Sequence, residues 1–281
     1  VYFNGKFIGS HTEYFESFRF DVTELIQSKN TIAVRIIDGY KFGEQGAYWS
    51  LFPLPIAREQ VYVKDRAKSI VGAKNGCLHH GNGYGIHGDV YFETTSNWVI
   101  EDVMARANKQ MDSVKVKFNL DSNIDKNLTC EVQILPDNFR GKSHITSFAI
   151  NAREKNFEFN VPVKNPKLWD PDHPYLYLCR IILKDAGKIL DAQDVLFGFR
   201  TFEMVSEKHP NGQLKPGTFL LNGKQTFLRG TNIQGLNPLI FWGEKEKAIE
   251  ILLMVKAANF NFIRSCQHVQ FKAVRELQDR L

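Results

Sequence analysis

Two clusters of polar side chains near the C-terminal end of the chain have the residue types that bind and orient a ligand. Asn232 and Gln234 form the first cluster, and Arg264, Gln267 and His268 form the second. Amides both donate and accept hydrogen bonds, and a guanidinium makes forked bonds to a carboxylate. The two clusters therefore predict a binding site, provided that the fold brings them together.

The residues before and between these clusters predict a hairpin and then a helix. Asn222-Gly223 separates the apolar runs 219–221 and 226–228, which is a strong hairpin signal, and the second run leads into the first polar cluster. A helix follows, because apolar residues recur at i, i+3, i+4 and i+7, and Asn259 would end it. The apolar residues with this spacing are Ala248, Ile251, Leu252 and Val255.

A second strand is predicted at 260–263, directly before the second polar cluster. Another helix is predicted from Phe271 to Leu281, with Val274 and Leu277 on one face. Two successive strands that deliver polar side chains at their C-terminal ends are typical of the start of a (β/α)8 barrel. We therefore predict that residues 206–281 begin such a barrel.

The earlier residues predict two β domains. In residues 1–108, Asn4-Gly5 predicts a tight hairpin, 21–26 a short capped turn and 30–36 a strand. In residues 109–205, alternating apolar and polar residues predict a sandwich of immunoglobulin type. The alternating runs are 114–118, 129–135, 157–161 and 175–183, and Trp98 and Trp169 are expected in the cores.

Charge and apolar patterning argue against two classes of partner. Lys and Arg are scattered and the net charge is only +5, so no basic patch for nucleic acid is predicted. No apolar run is long enough to span a bilayer. The chain starts at Val1 inside a predicted strand, so we expect that N-terminal strands precede it in the natural protein.

Cysteine and histidine spacings predict no metal site. The four cysteines have no CxxC spacing. Cys130 and Cys179 lie in alternating runs and are predicted to be buried free thiols, although a disulfide between them stays open. The adjacent pair His79-His80 would point to opposite sides of a strand, and His268 has no second ligand at a suitable spacing.

Five groups of short motifs occur in a familiar order. They are Val1–Lys6 with Phe20–Thr23, Gly85–Val90, Leu168-Trp169 with Pro174–Tyr177, Phe197–Arg200, and Leu221–Lys224 with Leu228–Asn232. Together these motifs resemble glycoside hydrolase family 2, which contains β-galactosidases, β-glucuronidases and β-mannosidases. The first two groups resemble the family's jelly-roll domain, the next two its immunoglobulin-like domain, and the last its first barrel strand.

The resemblance implies a mainly β multidomain fold and a retaining exo-β-glycosidase. The domains would be a jelly roll without its first strands (1–108), an immunoglobulin-like β-sandwich (109–205) and the truncated start of a (β/α)8 barrel (206–281). A carbohydrate substrate, no cofactor, a homo-oligomer and a periplasmic or extracellular location fit such an enzyme. The family's two catalytic carboxylates would lie beyond Leu281, so no catalytic residue is predicted and the chain alone is expected to be inactive.

The two polar clusters depart from the family's pattern, which favours a divergent member. After Asn232 the family commonly has a His-Glu pair, whereas this chain has Ile233 and Gln234. In the second cluster Gln267 stands where the family commonly has a histidine. A glutamine hydrogen-bonds a sugar hydroxyl but does not titrate near neutral pH, so β-galactosidase specificity is not implied.

Each candidate binding residue also has a structural alternative. Arg264 would hold the nucleophilic carboxylate or a sugar hydroxyl, or else form an ordinary ion pair at a strand end. Asn232, Gln234, Gln267 and His268 would line the same site, or else cap neighbouring helices. Trp242 would stack on a sugar ring or anchor a loop, and Glu13 would reach the site from the first domain or remain solvated.

Two other functions remain open. One is a non-catalytic carbohydrate-binding or adhesion β-protein, which predicts a chain made only of sandwiches. The helix and strand predicted after Gly243 argue against it. The other is a barrel of this family that has lost its activity, which would account for the divergent polar clusters.

Overall fold

A computed structural model of the chain describes residues 1–11, 17–35, 86, 89–122, 124–206, 214–233, 236–241, 243–265 and 270–281. These residues are mainly β-strands, with three α-helices near the C-terminal end of the described ranges. They form two compact units. The first comprises 1–89, 231–254 and 263–275, and the second comprises 90–230, 255–262 and 276–281.

The N-terminal hairpin has the predicted turn. Strands β1 (Tyr2–Phe3) and β2 (Lys6–Phe7) pair antiparallel, and Asn4 and Gly5 between them have φ of 50° and 79°. Positive φ at both central residues defines the type I′ turn that Asn-Gly favours. Strand β3 (Ile32–Ala33) pairs with β1 and is shorter than the predicted strand at 30–36.

The predicted capped turn after this hairpin is a 3-10 turn at Thr23–Leu25. Asp21 Oδ1 accepts hydrogen bonds from the backbone N–H and the hydroxyl of Thr23, at 2.9 and 2.6 Å. These bonds lower the pKa of Asp21 because they favour its ionised form. The predicted turn is confirmed at this position, but its N-cap residue, Val22, makes no side-chain capping hydrogen bond.

A sandwich of seven antiparallel strands makes up most of the second unit. One sheet has the order β4-β5-β8 and the other β10-β9-β6-β7. The strands are β4 (Trp98–Ala107), β5 (Ser113–Ser122), β6 (Asn127–Pro136), β7 (His144–Asn151), β8 (Asn156–Pro162), β9 (Tyr177–Asp185) and β10 (Lys188–Phe197). The four alternating runs in the sequence correspond to β5, β6, β8 and β9.

Alternation along the strands places one row of apolar side chains from each sheet in a shared core. In β5, Val114, Val116, Phe118 and Leu120 are buried, while Lys115 and Lys117 lie on the outer face. The ring of Phe118 stacks on that of Phe157 in β8, with centroids 5.1 Å apart. Burial of this row fixes the register of β5, because a shift by one residue would expose it.

The outer face of the β4-β5-β8 sheet carries an ion-pair triplet. The carboxylate oxygens of Glu158 lie 2.7 Å from Lys115 Nζ and 2.7 Å from Lys117 Nζ. Hydrogen bonds from these two ammonium groups lower the pKa of Glu158 to about 2. One carboxylate therefore accommodates both lysines of the adjacent strand.

Both cysteines in the sandwich are buried free thiols. Cys130 lies opposite Leu183 and Cys179 opposite Ile134, so the two thiols are four ladder positions apart. That offset is about 13 Å along the strand, well beyond the reach of a disulfide. Burial raises the pKa of each thiol to about 12.

A small three-stranded sheet follows the sandwich. Strands β11 (Phe202–Met204), β12 (Phe219–Leu221) and β13 (Lys224–Thr226) pair antiparallel in that order. Asn222 and Gly223 have φ of 52° and 74°, so the second Asn-Gly pair also forms the predicted tight turn. Strand β13 ends at Thr226, earlier than the apolar run 226–228 suggests.

The described C-terminal residues alternate strands and helices. The elements are β14 (Gly230–Ile233), α1 (Leu236–Phe241), α2 (Lys245–Ala257), β15 (Phe262–Ser265) and α3 (Lys272–Arg280). Helix α2 ends as predicted at Asn259, which has a φ of 61°. Its N–H donates to Lys256 O at 2.9 Å, and the Phe260 N–H donates to Val255 O at 3.2 Å, which is the Schellman arrangement.

One of these three helices was not predicted from the sequence, and another was. Helix α1 was not predicted, because its six residues are too few to show a helical period. Helix α3 was predicted, and its Val274 is completely buried. Among the described residues, no helix has the length and apolar content required to cross a bilayer.

Candidate functional site

Strands β14 and β15 form a two-stranded sheet, and a polar latch joins the residues where they start. The Asn261 N–H donates to Arg229 O at 2.9 Å, and Asn261 Oδ1 accepts from the Arg229 N–H at 2.9 Å. Asn261 Nδ2 also donates to Phe227 O at 3.0 Å. The single side chain of Asn261 therefore aligns the start of β15 with the start of β14.

The guanidinium of Arg229 strengthens the same latch. Its Nε donates to Asn259 O at 2.9 Å, and its Nη2 donates to Asn259 Oδ1 at 3.1 Å. Asn259 is also the residue that ends α2 in the left-handed conformation. The end of the helix and the beginning of both strands are thus fixed by one group of hydrogen bonds.

Gly230 allows the two strands to approach closely. A Cβ at this position would lie 2.6 Å from Phe262 Cδ1 and 2.8 Å from Phe262 O. Both distances are shorter than van der Waals contact, so any side chain would push the strands apart. Residues 229 and 230 lie beside residues 261 and 262, so the two strands start at the same end of their sheet and run parallel. In the sequence, α2 lies between them.

Asn232 and Arg264 are the predicted site residues that the structure describes. Each is exposed and occupies the third position of its strand, Asn232 in β14 and Arg264 in β15. In parallel strands aligned at their starts, these positions are neighbours. Each also lies one residue before the C-terminal end of its strand.

The other candidates lie outside the described residues. They are Gln234, Trp242, Gln267 and His268, together with Glu13 and the pair His79-His80. Their proximity to Asn232 and Arg264 stays a prediction. Within the described part of the chain, no cluster of His, Cys, Asp or Glu has the arrangement that a metal ion would require.

One buried polar residue near the site was missed from the sequence. Asn237 in α1 is only 2% exposed, and its Oδ1 accepts a 2.9 Å hydrogen bond from the Phe271 N–H at the start of α3. This bond satisfies one of the N–H groups that the first turn of a helix leaves without an intrahelical partner. The only sequence signal for Asn237 was that it is a polar residue following a strand. Such residues are too common to be identified as buried hydrogen-bond acceptors from sequence.

Asn259, Asn261 and Arg229 were also not predicted as parts of one arrangement. Asn259 was predicted only as a helix end, Asn261 only as part of the strand at 260–263, and Arg229 only as a polar residue at the end of the preceding strand. Their partners lie about thirty residues away along the chain. Sequence spacing gives no indication of contacts at that separation.

The electrostatic character of the described strands is cationic and polar. Neither β14 nor β15 contains Asp or Glu, and Arg264 supplies the only formal charge in the two strands. Such a surface binds hydroxyl groups or a carboxylate. Neither strand carries a carboxyl group that could act as a general acid.

Comparison with known proteins connects the sandwich to a family of carbohydrate-active enzymes. Residues 99–200, which span the sandwich, match Glycosyl hydrolases family 2. A Formosa agariphila protein, named provisionally as a β-glucuronidase, is 26% identical over 288 residues, covering 100% of this chain and 30% of that protein. A β-galactosidase of Thermoanaerobacter pseudethanolicus is 27% identical over 235 residues, covering 83% of this chain and 27% of the relative.

Solved structures agree on the fold. The crystal structure of a glycosyl hydrolase family 2 member from Bacteroides cellulosilyticus has a TM-score of 0.51 and 22% identity, covering 66% of this chain and 26% of that one. A β-glucuronidase from Parabacteroides merdae has a TM-score of 0.50 and 24% identity, covering 66% and 23%. At these identities the similarity concerns fold alone.

The described residues define a mainly β chain with few helices, and its relatives are named as carbohydrate-active enzymes. More specifically, the sandwich matches Glycosyl hydrolases family 2, and the chain is similar to proteins named as a β-glucuronidase and a β-galactosidase. It spans less than a third of the length of the two curated relatives described above.

Proposed function

We propose that this chain is part of a retaining exo-β-glycosidase that removes a sugar from a β-linked glycan. The family match over 99–200 carries the proposal. It is supported by the relatives named as a β-galactosidase and, provisionally, as a β-glucuronidase, which align over most or all of the chain. Because the chain spans less than a third of these relatives, the activity belongs to the whole protein.

The proposed domain division keeps the three predicted parts, with one change. Residues 1–108 would belong to a jelly roll, 109–205 to an immunoglobulin-like sandwich and 206–281 to the start of a (β/α)8 barrel. The seven-stranded sandwich and the parallel pair β14 and β15 around α2 support this division. Because β4 pairs with β5, we move the start of the sandwich from residue 109 to Trp98.

In this proposal Asn232 and Arg264 hold the substrate, and Gln234, Gln267, His268 and Trp242 line the same site. Retaining hydrolysis needs a nucleophilic carboxylate and an acid/base carboxyl group roughly 5–5.5 Å apart. Neither β14 nor β15 carries a carboxylate. Residues 1–281 would therefore bind and orient a sugar without cleaving it.

The alternative of a non-catalytic adhesion protein has less support. It predicts only sandwiches, whereas the described C-terminal residues contain three helices and a parallel strand pair. The alternative of a barrel without activity differs only in its catalytic outcome, so an activity measurement separates it from our proposal.

The test is hydrolysis of chromogenic β-glycosides by a longer natural protein that contains these residues. We expect it to release p-nitrophenol from a β-glucuronide or a β-galactoside, and we expect residues 1–281 alone to release none. Arg264→Gln in the longer protein should reduce kcat/KM by about 10-fold or more, since a charge-assisted hydrogen bond contributes about 1.5–3 kcal/mol. Arg153→Gln, on an exposed sandwich turn, is the matched control.

Absence of hydrolysis of every β-glycoside by a folded longer protein would refute the proposed activity. Hydrolysis by residues 1–281 well above background would refute the assignment of the catalytic carboxylates to residues outside this chain.

A further inference from the structure

A shallow cleft of about 400 Å³ lies in the second unit, and neither Asn232 nor Arg264 lines it. A volume of this size is within the range of small-ligand sites. Its lining includes two arginines, a carboxylate, an aromatic ring and two small residues. These are Arg106, Arg200, Asp279, Phe202, Ala105 and Ala107.

The guanidinium of Arg200 is held in place by two neighbours. Its Cζ lies 4.4 Å from the centroid of the Trp169 ring, and its Nη1 lies 3.2 Å from Asp279 Oδ1. The indole N–H of Trp169 in turn donates to Asp279 O at 2.7 Å. Trp169 is therefore half-buried and holds the guanidinium of Arg200 in place. The sequence prediction placed it in a core.

Within the described part of the chain, most of the hydrogen-bonding capacity of Arg200 is unused. A guanidinium has five N–H donors in a fixed fork, and the bond to Asp279 uses one of them. Stacking on an aromatic ring fixes the plane of the group without consuming donors. Arg200 can therefore present a pair of donors to an oxyanion with little further ordering.

Arg106 adds a second positive charge that no described carboxylate balances. In the β4–β5 ladder it lies opposite Lys115, whose ammonium group is already paired with Glu158. Two like charges directly opposite each other are unfavourable in a sheet. The residues that line the cleft thus include two arginines and one aspartate, which leaves a surplus positive charge.

Phe202 supplies an apolar surface beside these charges. Its ring stacks on that of Phe219, with centroids 5.5 Å apart and planes inclined by 12°, yet the residue remains 53% exposed. A ring with its orientation fixed and one side open can pack against the C–H face of a pyranose.

We propose that this cleft binds a saccharide that carries an oxyanion, either a carboxylate or a sulfate. Arg200 and Arg106 bind the anionic group, and Phe202 contacts the sugar ring. The choice of a saccharide rests on the proposed function, whereas the requirement for an anion rests on the two arginines alone.

The test is isothermal titration calorimetry on residues 1–281 with four probes. These are methyl β-glucuronide, glucose 6-sulfate, methyl β-glucoside and sodium sulfate. We expect at least one anionic sugar to bind about tenfold or more tightly than both the neutral glucoside and free sulfate. The tighter of the two anionic sugars identifies the anion that the cleft prefers.

Single substitutions then assign the binding to this cleft. Arg106→Gln should weaken the anionic sugar about tenfold, because it removes a charge-assisted contact from an exposed position that does not affect folding. Phe202→Ala should weaken the sugar while leaving weak sulfate binding unchanged. Arg153→Gln removes one positive charge elsewhere and should leave every affinity unchanged.

Several outcomes would overturn the proposal. They are affinities for both anionic sugars no higher than for the glucoside, sulfate binding as tightly as the anionic sugars, no binding of either anionic sugar, and no effect of Arg106→Gln. The measurement involves no hydrolysis. A longer protein that proved inactive would refute the proposed function and leave this binding result intact.

Discussion

The half-buried side chain of Asn261 should stabilise the β14–β15 pair measurably. Its amide accepts from the Arg229 N–H at 2.9 Å and donates to Phe227 O at 3.0 Å. A net contribution of about 0.5–1.5 kcal/mol for each hydrogen bond gives a loss of about 1–3 kcal/mol for Asn261→Ala. Asn261→Asp keeps the acceptor and loses the donor, so its loss should be about half as large.

Two measurements check this expectation. Urea unfolding gives the change in free energy, provided that the slope of the transition is unchanged. Hydrogen exchange gives a local value, because the Arg229 N–H is one of the two bonded groups, and a loss of 1.4 kcal/mol corresponds to about tenfold faster exchange. Asn160→Ala is the matched control, since Asn160 is an exposed strand residue outside this latch.

The reasoning fails if Asn261→Ala and Asn160→Ala change stability equally. It also fails if the Arg229 amide exchanges at the same rate in Asn261→Ala as in the unaltered chain. Either result would mean that β14 and β15 stay aligned without the side chain, through their backbone bonds alone.

Three further outcomes follow from the described contacts. Gly230→Ala should destabilise the chain by about 1–3 kcal/mol in urea unfolding, because the new methyl group clashes with the backbone of Phe262. An unchanged unfolding midpoint would show that the two strands separate without cost. The pKa of Glu158 is lowered to about 2 by its two lysine partners, so its stabilising effect is complete above the unfolded pKa near 4.5 and is lost as the pH falls toward 2. Comparison of unfolding between pH 2 and 5 with Glu158→Gln, which should lack this part of the pH dependence, tests that sign. Cys130 and Cys179, with pKa raised to about 12, should resist alkylation at pH 8 until urea unfolds the sandwich, and rapid labelling of either in the native chain would contradict their burial.

Local sequence was sufficient wherever neighbouring residues set the conformation. Asn4-Gly5 and Asn222-Gly223 both form tight turns, because asparagine and glycine tolerate the positive φ that the type I′ turn requires. Asn259 ends α2 for the same reason. The alternation in β5 was equally informative, since a period of two allows only one face of a strand to enter a core.

The resemblance to a family was also visible from sequence motifs alone, and the comparisons confirm it. The domain boundaries could not be predicted from motifs, because they depend on which strands pair. Strand β4 was assigned to the first domain from its position in the chain, yet it pairs with β5. No local pattern in β4 indicates its partner.

Only the tertiary structure decided the contacts between distant residues. The separation of Cys130 from Cys179 follows from the register of β6 against β9, which the sequence leaves open. The latch between Arg229 and Asn261 joins residues separated by a whole helix. Trp169 was expected in a core, but its contacts with Arg200 and Asp279 place it beside a charged cleft. Turns and periodicities arise from the steric preferences of adjacent residues, whereas pairing, register and clefts depend on how separate segments pack, and therefore they appear only once the chain is folded.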